Sequence, residues 1–97
     1  MDKITTTIER DWLREIIAGR KKVEYREIKP YWQKRFAAVK TPFQLRLING
    51  MQRKAPEVTV EVVKVIKQTS QGYYALKLGK ILSIRHWNKR KERPAAS

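Results

Sequence analysis

The order of residue patterns along the chain predicts an α+β fold: strand, helix, strand, helix, then a run of strands that curls into a small open β-barrel. Three observations carry this. Leu13, Ile16 and Ile17 recur at i, i+3 and i+4, the stripe of a helix with one buried face. Val58, Val60 and Val62 alternate with Thr59, Glu61 and Val63, which is the period of a strand. From Pro42 onward the pattern is strand-like and is punctuated by turn residues, Asn49-Gly50 and Ser70–Gly72 among them.

Taken in order, Thr5–Thr7 between Ile4 and Ile8 is a β-branched run that favours a first strand. Glu9, Arg10 and Asp11 open the first helix. Gly19 closes it, because glycine accepts the left-handed conformation that ends a helix. Arg20–Lys22 follow that end, the charge order favoured by the helix dipole. Lys22–Glu27 alternates Val23 and Tyr25 with Lys22, Glu24 and Arg26, a second strand with one charged face and an aromatic expected on the core side. Pro30 fits a first helical turn, and Trp32, Arg35 and Phe36 give Tyr31–Val39 helical spacing. Phe43–Ile48, Val58–Ile66, Tyr73–Leu78 and Ile81–Ile84 read as strands, with Gly79 breaking or bulging the last pair.

At 97 residues the chain is one domain, and a core of that size buries about 60–65% of the unfolded surface. Residues 1–88 are expected to form it, with 89–97 a mobile basic tail that lacks large apolar residues. Hydrophobic residues at 41% suffice for such a core; Trp32 and Trp87 are expected within it. There is no cysteine, so disulfides, thiolate-held metals and cysteine nucleophiles are excluded, which fits a reducing, cytoplasmic setting. His86 is the single histidine, so neither a histidine metal site nor a Ser-His-Asp triad is expected, and no cofactor is implied. No stretch approaches the ~18 apolar residues of a membrane-spanning helix.

Charge is the most informative number. Lys and Arg total 23 against 9 Asp and Glu, a net charge of +14, and self-repulsion on that scale is expected of a chain that meets a polyanion. Nucleic acid leads and an anionic membrane surface is the weaker candidate; an acidic protein partner is a further reading.

The chemistry concentrates in Gly19-Arg20-Lys21-Lys22-Val23-Glu24-Tyr25-Arg26. Glu24 and Arg26, two apart on a strand, point the same way and either pair structurally or line one pocket. Lys21 sits at the bend beside them and is either solvated or able to act as base or nucleophile once desolvated. This G-x-K-x-x-E-x-R pattern, in its strand–helix context, resembles the signature of the ASCH domain, a branch of the PUA-like superfamily, and the resemblance extends from Met1 to about Trp87. It implies a PUA-like pseudo-barrel and an RNA-associated module with its cleft between the first helix and the barrel. Some small members are amidohydrolases acting on acetylated cytidine and others are ribonucleases. In the amidohydrolases the lysine matching Lys21 is catalytic, a threonine stands at the position of Glu24, and a later glutamate completes the site. Here the acids that follow the motif within the domain are Glu27, Glu57 and Glu61.

The expected site is therefore a basic cleft beside the first helix that takes RNA or another nucleic acid. Lys21, Lys22, Lys29, Lys34 and Arg35 would hold phosphates, Tyr31 would stack on a base, and Glu24, oriented by Arg26, would accept hydrogen bonds from a base edge. The alternative is a metal-independent ribonuclease or nucleoside amidohydrolase with Lys21 and Glu24 as its acid–base pair.

Overall fold

The computed structural model describes residues 1–95 and has the expected α+β architecture. β1 (Lys3–Thr7), α1 (Arg10–Ile17), β2 (Val23–Glu27) and α2 (Pro30–Ala37) precede β3 (Phe43–Ile48), β4 (Glu57–Gln68) and β5 (Tyr73–Arg85). A two-residue pair, β6 (Trp87–Asn88) with β7 (Arg93–Pro94), ends the described chain. The five longer strands form one mixed sheet in the order β1-β3-β4-β5-β2, curled into an open half-barrel. β1 runs parallel to β3; every other neighbouring pair is antiparallel.

Alternation in β3 and β4 builds the core. Phe43, Leu45 and Leu47 face inward on β3, opposite Val62, Val60 and Val58 on β4, and all six are essentially inaccessible. Leu13, Ile16 and Ile17 of α1 are buried against this sheet, at about 1.5–3 kcal/mol for each side chain removed from water. α2 buries no residue fully, but Trp32 and Phe36 stack on each other at 5.3 Å, and Phe36 meets Tyr74 edge-on at 4.8 Å, so the helix leans on the core through its aromatics.

Curvature comes from β4 and β5. Their register slips between Thr59 and Lys64, and such bulges bend a strand and increase its twist. Gly79 sits in this region. A β-carbon there would come within 2.8 Å of Glu61 Oε1 and 2.9 Å of Val63 Cγ1. The sequence allows a break or a bulge at Gly79; the structure has the bulge, and β5 runs unbroken through it.

Two ionic features stabilise the edges of the fold. Arg46 donates from Nε to Glu57 Oε2 at 2.7 Å and from Nη2 to Oε1 at 2.8 Å. This two-point contact holds the Glu57 carboxyl below the usual carboxylate range, although its burial pushes the other way. The second feature replaces the mobile tail expected from residue 89. The chain turns back so that Ala95 N–H donates to the His86 carbonyl at 3.1 Å, and Glu92 accepts from Arg20 at 2.6 Å. Arg14 Nε donates to the Glu92 carbonyl at 3.1 Å, which fastens the segment to α1. The last two residues of the expected tail, 96–97, lie outside the described residues. Trp87 is buried, as expected, at the start of this segment.

Candidate functional site

The site begins with the way α1 ends. Ala18 keeps helical angles and Gly19 turns left-handed at φ 80°. Gly19 N–H then donates to the Ile16 carbonyl, and Arg20 and Lys21 N–H both donate to Glu15, each at 3.0 Å. This paired closure is the glycine-dependent helix stop of the Schellman type. It swings Lys21 back over α1 and starts β2 two residues later.

β2 places its charged face inward. Glu24 is buried with a relative exposure of 6%, and Tyr25, expected in the core, is 50% exposed. The inversion has an electrostatic cause. Arg26 Nη2 donates to Glu24 Oε2 at 2.6 Å, and Lys21 Nζ lies 3.4 Å from Oε1, so the buried carboxylate has a cation on each oxygen. The Arg26 guanidinium also lies over Trp32, 5.3 Å from the ring centroid, a cation–π contact. Tyr25, on the opposite face, meets Tyr73 edge-on at 4.9 Å.

β1 and β2 are the two ends of the sheet and do not pair with each other. Arg26 of β2 spans the gap, and Arg35 of α2 reaches β1 beside it. Arg26 Nη2 donates to the Thr7 carbonyl at 3.0 Å, and Arg35 Nη2 donates to the Thr5 carbonyl at 3.3 Å. Above the Arg26 bridge lies a cleft of about 810 Å³. Thr7, Ile8 and Glu9 form one wall, Glu24, Tyr25 and Arg26 the other, with Trp12 of α1 and Lys21 over the helix side. Asn49 closes the end; its Nδ2 donates to the Ile8 carbonyl at 2.9 Å and its Oδ1 accepts from Arg10 Nε at 2.5 Å.

Lys21 is the less exposed of the two cations that line the cleft. Its side chain is only 15% exposed, and its Nζ lies 5.0 Å from the Trp12 centroid and 5.2 Å from that of Tyr25. Trp12 itself is 51% exposed. An ammonium group between two half-exposed aromatic rings, with a buried carboxylate beneath, can offer a flat ligand two stacking faces, an acceptor and a positive charge.

The residues expected to form one site divide into two groups. Lys21, Glu24 and Arg26 converge in this cleft. Tyr31, Lys34 and Arg35 line a separate groove of about 560 Å³ between α2 and β1. Lys22 and Lys29 are exposed and line neither; Lys29 pairs with Glu27 at 3.4 Å. Glu57 and Glu61 stand apart from the cleft, one on Arg46 and the other against Gly79. Sequence reasoning missed Trp12 and Asn49 as site residues. Trp12 was signalled by its position one residue off the apolar stripe; Asn49, read as a turn residue, carried no signal for its side-chain role.

Comparison of the chain with protein-family models, with curated proteins and with solved structures gave no match. No helix among the described residues is long and apolar enough to cross a membrane.

Proposed function

We propose that the chain is a nucleic-acid-binding module, for RNA foremost, which holds an unpaired base in the cleft between α1 and β2. The observation that carries this reading is the pair of half-exposed aromatics, Trp12 and Tyr25, flanking a charged cleft on a chain of net charge +14. A base inserted between them gains about 1–3 kcal/mol for each stacking contact. Glu24, held in orientation by Arg26, accepts a hydrogen bond from a base-edge N–H. Lys21, displaced from its aromatic surroundings by the entering base, follows the adjoining phosphate, with Lys22 at the rim. The resemblance of the Gly19–Arg26 pattern to ASCH domains supports the same reading.

One observation favours a second reading. Lys21 Nζ and Glu24 Oε1 stand 3.4 Å apart and both side chains are largely removed from solvent, the juxtaposition an acid–base pair requires. On that reading the chain is a metal-independent ribonuclease or a nucleoside amidohydrolase.

Incubation with end-labelled single-stranded RNA, read together for mobility and strand integrity, separates the two. A shift with intact RNA, weakened in Lys21→Ala, supports binding. Cleavage that Lys21→Ala abolishes supports the enzyme. No effect on RNA overturns the RNA-binding and ribonuclease readings and points to a modified nucleoside as substrate or to an acidic protein partner.

A further inference from the structure

The groove between α2 and β1 has its own chemistry. Three cations, Lys3, Lys34 and Arg35, line it with Tyr31, and no carboxylate does. None of the ion pairs among the described residues involves these three cations. The cleft beyond Arg26 is different, since there Glu24 offsets part of the positive charge. Tyr31 is 55% exposed, and its ring and hydroxyl are fixed by Arg35: the guanidinium lies 5.4 Å from the ring centroid, and Nη1 donates to the hydroxyl at 2.7 Å. Of the side chains in the structure, the exposed aromatics are Trp12, Tyr25 and Tyr31, and each lines either the cleft or this groove.

The two depressions also share β1, the cleft taking Thr7 and the groove Lys3 and Ile4. Arg26 and Arg35 hold the carbonyls of Thr7 and Thr5, two residues apart on one strand, which is about 6.6 Å along β1. The β1 residues that line the two depressions are three to four apart, about 10–13 Å, a span that neighbouring nucleotides of an extended, unstacked strand can cover. Trp32 links them structurally, packing on Arg26 on one side and edge-on to Tyr31, at 5.0 Å, on the other.

We infer that the α2–β1 groove is a second nucleotide subsite, which makes the ligand a single strand with at least two consecutive unpaired nucleotides, not a free nucleotide or a duplex. This rests on the reading of the cleft as a nucleic-acid site. The base in the cleft stacks on Trp12 and Tyr25; its neighbour stacks on Tyr31, with its phosphate on Lys34 and Lys3. The strand crosses β1 over the two arginine bridges.

Anisotropy titrations with a labelled uridine hexamer and competition by uridine monophosphate test it, using wild type, Tyr31→Ala, Lys34→Gln and Trp12→Ala. Thermal melts confirm that each variant is folded. The expected result is that Tyr31→Ala weakens hexamer binding about fivefold or more and leaves the monophosphate competition constant unchanged. Lys34→Gln is expected to reduce the slope of log affinity against log salt by about 0.7, the value for one single-strand phosphate contact. Trp12→Ala weakens both ligands. If Tyr31→Ala and Lys34→Gln bind the hexamer like wild type while Trp12→Ala does not, the second subsite is overturned and the cleft reading stands. If the wild type binds neither ligand, both fall.

Discussion

Arg26 Nη2 donates a 3.0 Å hydrogen bond to the carbonyl oxygen of Thr7, joining β2 to β1, the two strands at opposite ends of the sheet order. The same nitrogen donates to Glu24 at 2.6 Å. One guanidinium thus neutralises a buried carboxylate and bridges the open side of the half-barrel. Its Nε–H is buried with no hydrogen-bond acceptor among the described residues, so only part of its donor capacity is used for that bridge.

Removing this residue should therefore be costly. Arg26→Ala leaves Glu24 buried with Lys21 alone, and loss of one partner from a buried ion pair costs about 3–5 kcal/mol. The double variant Arg26→Ala/Glu24→Ala should recover part of the loss, because no uncompensated charge remains. Urea denaturation checks both. Equal stability of Arg26→Ala and wild type would show that the bridge carries no energy.

Trp12 and Tyr25 are half-exposed, so truncating either should hardly change folding. On the proposed function each loses about 1–3 kcal/mol of RNA affinity, or roughly 5- to 150-fold. Paired melting and binding curves for Trp12→Ala and Tyr25→Ala separate a binding role from a structural one.

Salt gives an independent measure. With Lys21, Lys22, Lys34 and Lys3 each on a phosphate, log affinity for single-stranded RNA should fall by roughly 3 per tenfold rise in salt. A slope near zero would exclude phosphate contacts as the source of affinity.

Stability should depend on acid through Glu57. Its carboxyl is held below its ordinary value of 4.5, chiefly by the Arg46 hydrogen bonds. A depressed carboxylate contributes stability that is present above its unfolded value and is lost as pH falls through the folded one. The loss should therefore begin below about pH 4.5 and continue downward. In Glu57→Gln the acid limb of a urea-midpoint profile from pH 6 to pH 3 should be flatter. An unchanged limb would mean that the ion pair does not set acid stability.

How much of this was legible in the sequence follows from the range of each interaction. α1 and its glycine stop are local, and Leu13, Ile16, Ile17 and Gly19 announce them. So is the two-residue spacing that aligns Glu24 with Arg26. The inward turn of that charged face was not legible, because it depends on Trp32 and the Thr7 carbonyl, contributed by other elements. A pattern rule that sends aromatics inward and charges outward therefore misplaced Tyr25. The division of the basic residues into two grooves has the same origin: β1 runs between them, and only the sheet order places it there. The terminal segment looked structureless for want of apolar residues, yet one acid, Glu92, ties it to Arg20.

The most direct test of the proposed base-binding cleft is the affinity of Trp12→Ala for a labelled single-stranded RNA hexamer, measured beside wild type at one fixed salt concentration. The expected result is a dissociation constant raised about fivefold or more, with a melting curve that overlays wild type. Equal affinity in the two proteins would contradict it, because RNA would then be held by surface charge without a base entering the cleft.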